Sequence, residues 1–140
     1  MNGFLLDTNI VFELARPRPD LHVTRWLNSA DEELLFISVL TLGELRKGIA
    51  ALRDSERQAR LEIWLSRLIA RFEGRILNID EAIAHRWGQI TGSLALRGLP
   101  LSVIDGLLAA TALHHNLTMV TRNTRDVSRT GAVLFDPWTG

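Results

Sequence analysis

Four acids could do chemistry: Asp7 in LLDTN, Glu44 in TLGE and Asp105 in SVID, each at or just after the expected exit of a strand, and Asp126 in TRNTRD, which follows another. Asp7 closes a strand-like run and opens a helical pattern, which suits an N-cap or a side chain facing a crevice at a strand exit. Glu44 and Asp105 each follow a hydroxyl residue, Thr41 and Ser102, by three positions, so both fit the capping-box pattern. That pattern puts an acid in the first helical turn beside the positive end of the helix dipole, where the ionised form is favoured. Asp126, near Arg122, Arg125 and Arg129, has the setting of an exposed loop acid.

The first three acids fall at or just after expected strand exits, so a parallel sheet would bring them to one edge. Two unit charges about 4 Å apart, at an effective dielectric near 20, repel by roughly 4 kcal/mol. Such a cluster calls for a cation or a proton. Oxygen donors without cysteine or organised histidine select Mg²⁺ or Mn²⁺ over Zn²⁺, and magnesium takes few carboxylates together with water and phosphate. The chemistry expected is hydrolysis of a phosphodiester by water made acidic by the ion, with no covalent nucleophile.

The elements that would position these acids alternate. Strands are expected at Gly3 to Asp7, Leu34 to Val39, Arg75 to Ile79, Thr118 to Thr121 and, as a last edge, Ala132 to Phe135. Helices are expected at Thr8 to Ala15, Asp20 to Ala30, Thr41 to Leu52, Asp54 to Phe72, Glu81 to Leu96 and Val103 to His115. In the long Asp54 to Phe72 segment, Leu61, Trp64, Leu65, Leu68, Ile69 and Phe72 share one stripe. Strand and helix alternating in this way favour a mainly parallel sheet covered on both faces, with ligands at the carboxyl ends of the strands.

Length and composition set limits. A chain of 140 residues, 46% apolar and 23% charged, is expected to form a single domain over 1–140. Sixteen basic residues balance sixteen acidic ones, so any polyanion site is local. No cysteine is present, which removes disulfides, thiolate metal sites and cysteine nucleophiles. Dinucleotide-binding, P-loop, zincin and esterase motifs are absent. With no basic leader and no apolar run longer than Gly106 to Leu113, a cytoplasmic protein with no membrane partner is expected.

Four segments in order, LLDTN at Leu5 to Asn9, LTLGELRKG at Leu40 to Gly48, DGLLAATALHHNLTMVTRNTRDV at Asp105 to Val127, and FDPW near the C-terminus, resemble the PIN-domain ribonucleases of the VapC toxin type, in their FitB-like subgroup. The resemblance spans nearly the whole chain. It implies an α/β/α sandwich with a mainly parallel central sheet, and a Mg²⁺- or Mn²⁺-dependent endoribonuclease toxin of a type II toxin–antitoxin pair. It also implies a homodimer with RNA as substrate and a small DNA-binding antitoxin as cognate partner. Asp7, Glu44 and Asp105 match the family's acids. Asn9 and Thr121 match polar positions that orient the acids or meet phosphate; on a ribonuclease, Arg122, with Arg125 and Arg129, is a candidate contact for the phosphate backbone. The fourth acidic position falls on Asn123 or Asp126 and is assigned to Asp126, which makes Asp7, Glu44, Asp105 and Asp126 the expected catalytic and metal-holding set. The helices at Thr41 to Leu52 and Asp54 to Phe72 are the candidate surface for the antitoxin. The alternative is a PIN-like binding module that acts mainly through a complex with a DNA-binding antitoxin.

Overall fold

The computed structural model describes residues 3–139. Its chain runs β1 (Phe4–Leu6), α1 (Thr8–Ala15), α2 (Leu21–Ser29), a 3₁₀ turn at Glu32–Leu34, β2 (Leu35–Ser38), α3 (Val39–Ala50), α4 (Ser55–Arg71) and β3 (Ile76–Leu77). It continues through α5 (Glu81–Leu96), α6 (Val103–His114), β4 (Thr118–Val120), α7 (Thr124–Val127), a 3₁₀ turn at Ser128–Thr130 and β5 (Leu134–Phe135). The five strands pair in the order β3-β2-β1-β4-β5, and every pairing is parallel. β1 lies at the centre, so the residue that follows it emerges mid-edge.

Alternation along the strands splits the core into two layers, because neighbouring side chains point to opposite faces. Leu6, Leu35, Ile37 and Val120 face α1 to α4 and pack with Ile10, Val11, Leu45, Ile49, Leu65, Leu68 and Phe72. Leu5 and Met119 face the other way, onto Leu108, Ala109 and Ala112 of α6 and Val127 of α7. α5 lies against α6. This is the expected three-layer α/β/α sandwich.

Several boundaries are set by side-chain caps. Asp7, Asp20, Asp54, Asp80 and Ser102 all accept hydrogen bonds from the first turn of the helix they precede. α3 begins earlier than the sequence suggests, at Val39. Its cap is Ser38, whose hydroxyl accepts the Leu40 N–H at 3.0 Å. Thr41 is therefore inside the helix and fully buried, and the Thr41–Glu44 capping box does not form. On α4 the expected apolar stripe buries Leu65, Leu68 and Phe72, while Ile69 at its edge is exposed. Asp126 lies in the one-turn helix α7, where the sequence suggests a loop. Among the described residues no helix is long and apolar enough to cross a membrane.

Candidate active site

Asp7 sits where β1 ends and α1 begins. Its N–H still donates to the Val120 carbonyl at 2.9 Å, so the backbone is held by the sheet while the side chain has left it. Oδ1 accepts the Thr8 N–H at 2.7 Å and Oδ2 accepts the Thr121 hydroxyl at 2.7 Å. The residue is buried, with 4% of its surface exposed. Burial pushes its carboxyl above the usual carboxylate range. The Thr121 and Thr8 hydrogen bonds pull it back, and the neighbouring charges of Asp105 and Glu44 push it up again. Both donors are neutral, and among the described residues no cation pairs with Asp7.

Glu44 approaches from the second turn of α3, one turn later than the capping-box reading has it. The Thr8 hydroxyl donates to its Oε1. That uses the one proton Thr8 has, so in the 3.1 Å contact between the Thr8 and Thr41 hydroxyls Thr41 is the donor. Thr41, Thr8 and Glu44 thus form a one-way chain, and the Thr8 backbone joins it to Asp7.

Asp105 stands in the first turn of α6, as expected. Ser102 caps that helix by accepting the Asp105 N–H at 3.1 Å, and the Asp105 carboxylate turns to the Asn123 side-chain amide, which donates to Oδ2 at 3.0 Å. The Asn123 N–H in turn donates to the Thr121 hydroxyl at 3.0 Å. The segment after β4 therefore binds Asp7 through Thr121 and Asp105 through Asn123.

The remaining candidates share no hydrogen bond with these three acids. Asn9 is exposed and lines a groove between α1, α3 and α4. Arg122 is exposed, with its guanidinium 4.9 Å from the Trp138 ring centroid. Asp126 is half exposed, and its carboxylate faces Arg129 at 3.8 Å. Thr8 and Thr41 carry no site role in the sequence reading. Their signal is the placement of two buried hydroxyls beside acids, since a buried hydroxyl must find a partner.

The donor set suits a hard divalent cation. It is all oxygen, and the buried acid has like-charged neighbours and only neutral hydrogen-bond donors. Among the described residues no three acids or histidines come close enough to form a preformed metal cage. Mg²⁺ does not demand one, because it keeps several waters and uses one or two carboxylates together with phosphate.

The PIN domain family matches residues 4–133, and the chain belongs to that family. The toxin FitB of Neisseria gonorrhoeae is 37% identical over 135 residues, covering 96% of this chain and 97% of FitB. The VapC ribonuclease Y4jK of Sinorhizobium fredii is 31% identical over 138 residues, covering 96% of each chain. Among solved structures, the DNA-bound VapBC of Salmonella typhimurium superimposes with a TM-score of 0.85 at 30% identity, covering 98% of this chain and 99% of that one. The expected PIN fold and the likeness to FitB and VapC toxins are borne out.

Proposed function

We propose that this chain is the ribonuclease toxin of a toxin–antitoxin pair, cutting RNA phosphodiester bonds with a Mg²⁺ or Mn²⁺ ion bound at the site of Asp7, Asp105 and Glu44, by one or two of these carboxylates directly and otherwise through the ion's waters. The observation that carries this reading is Asp7, a buried carboxylate at the carboxyl edge of the central strand with acids for neighbours and, among the described residues, no cation paired with it. The similarity to proteins named as VapC ribonucleases supports the same activity. A bound divalent ion supplies charge to offset the phosphate and acidifies the attacking water. Thr121 and Thr8 orient Asp7, the Thr41 and Thr8 hydroxyls orient Glu44, and Asn123 orients Asp105. Asn123 takes the fourth position beside Asp105, and Asp126 contributes from the rim.

The partner is a small DNA-binding antitoxin, a reading supported by the likeness to a DNA-bound VapBC complex. A groove of about 660 Å³ between α1, α3 and α4, lined by Phe12, Leu45, Ile49, Leu52, Leu61 and Trp64, is its seat. The same groove favours the second reading, a binding module that works through that complex with little catalysis.

One experiment separates the two. Purified, antitoxin-free protein is incubated with labelled total RNA in Mg²⁺, Mn²⁺ or EDTA, beside Asp7→Asn. Discrete cuts that require both the metal and Asp7 are expected. Intact RNA, with a folded wild-type protein shown to bind Mn²⁺, would favour the binding module.

A further inference from the structure

Arg122 holds an unspent charge. Among the described residues it forms no ion pair, a state it shares with other arginines, but it is the one whose chain neighbours on both sides are bonded to acids of the site. It is also fixed in place, because its neighbours Thr121 and Asn123 are bonded to Asp7 and Asp105. With the side chains on either side turned to the acids, Arg122 leans over the Trp138 ring at 4.9 Å.

The register of the sheet delivers Trp138 to that spot. β4 and β5 are parallel with Val120 opposite Phe135, and the Thr121 N–H donates to the Phe135 carbonyl at 3.0 Å. Position 136 therefore arrives beside the strand end that carries Arg122. There the chain turns: Asp136 Oδ1 accepts the Trp138 N–H at 2.8 Å, and the intervening Pro137 is buried and fixed in φ. Trp138 is half buried and packs against the core layer of α1 to α4, so its ring is a rigid platform.

We propose that Arg122 and Trp138 form a preset phosphate clamp at the rim of the acidic site, engaging an RNA phosphate that flanks the scissile one, with Trp138 as its positioning residue. This rests on the ribonuclease reading. The contact with the ring uses no hydrogen-bond acceptor, and among the described residues none of the Arg122 side-chain N–H groups has one, so the fork that meets phosphate oxygens in pairs is free. A cluster of acids repels the backbone of its own substrate, and the chain as a whole has no net charge to offset this. A local cation held in place therefore does what the molecule's overall field does not.

The test uses the full chain and a short labelled single-stranded RNA that the wild type cuts. Affinity is measured in EDTA, and KM and kcat are measured with Mn²⁺. Trp138→Ala and Arg122→Lys are expected to raise Kd and KM about five- to tenfold with kcat within about twofold, since each loses the aligned fork and keeps the acids. Trp138→Phe, which keeps an aromatic face, is expected to stay within about twofold of wild type. Arg122→Gln is expected to flatten the slope of log Kd against log salt by about 0.7, the value for one single-strand phosphate contact. Wild-type Kd and KM in a folded Trp138→Ala would overturn the clamp, as would a fall in kcat alone. If Trp138→Ala does not fold, Arg122→Lys decides, and wild-type behaviour there overturns it. A wild-type protein that neither binds nor cuts RNA overturns the ribonuclease reading as well, whereas an active wild type with indifferent variants overturns only the clamp.

Discussion

Two carboxylates are buried to nearly the same degree at opposite ends of α1, Asp7 at 4% exposure and Glu13 at 5%. Around Glu13 the account is closed: Oε2 accepts the Asp20 N–H at 2.8 Å, and Oε1 faces the Arg16 guanidinium at 3.2 Å. Around Asp7 both hydrogen-bond donors are neutral, and the charges that act on it, those of Asp105 and Glu44, have its own sign. Glu13 ties the end of α1 to the start of α2 and needs nothing further. Asp7 is held in position for a charge that the fold itself does not provide. Burial alone does not distinguish a structural acid from a functional one, but the sign of what surrounds it does.

The sharpest way to break this contrast is Asp7→Asn. Cleavage is expected to fall by about 10²-fold or more, on the scale of losing a group that stabilises developing charge. Stability is expected to move the other way. The folded pKa of Asp7 lies above its unfolded value, so its favourable contribution is complete below the unfolded pKa and is lost as pH rises through the folded pKa. At neutral pH the variant should melt higher than wild type, and the gap should close on acidification in a series of thermal melts. Glu13→Ala should give the reverse, a loss of about 1–2 kcal/mol, chiefly from the stranded Asp20 N–H because the Arg16 guanidinium is exposed, with cleavage per folded molecule unchanged.

Gly106→Ala tests how Asp105 is held. A Cβ at residue 106 would lie 2.9 Å from both Cδ1 and Nε1 of the Trp87 ring, so α6 must shift against α5 and carry the adjacent Asp105 with it. A cost of about 1–3 kcal/mol in denaturant melts is expected, with cleavage falling roughly tenfold. Thr121→Val removes the hydroxyl that pulls the Asp7 carboxyl down. The acidic limb of the pH–rate profile should therefore move to higher pH, with stability lower by about 1–2 kcal/mol from the orphaned Asn123 N–H. The smallest effect is expected from Asp126→Asn. Its pairing with Arg129 is half exposed, and such pairs contribute about 0.2–1 kcal/mol. Cleavage within about threefold of wild type would keep Asp126 at the rim. A loss matching that of Asp105→Asn would bring it into the site.

The three acids were legible in the sequence because each follows a local rule, an acid at a strand exit or three residues past a hydroxyl. The same rule misled at Thr41. Ser38 has equal capping chemistry, and β2 hands directly to α3, so the helix starts at the earlier hydroxyl and Glu44 reaches the site from the second turn. Asn9 and Thr121 look alike as polar neighbours of the site, but Thr121 extends β4 beside Asp7, whereas Asn9 is one residue into α1 beyond Thr8, where the helical turn of about 100° per residue carries it to the outer surface. α7 was not legible because four residues are too few to display a helical period. The hydroxyl chain through Thr8 lay beyond sequence reading for a different reason: its partners are 33 and 36 positions away, joined only by the parallel topology.

The two outer strands of the sheet are two residues long, Ile76–Leu77 on one side and Leu134–Phe135 on the other. An edge that short presents too few free amides and carbonyls to template another strand. Recruitment by strand addition is thereby disfavoured at both flanks, for a second copy as for any other protein. The helical layers are then the surface left for a partner, and a sequence suited to them carries apolar anchors at helical spacing rather than the alternation of a β-strand.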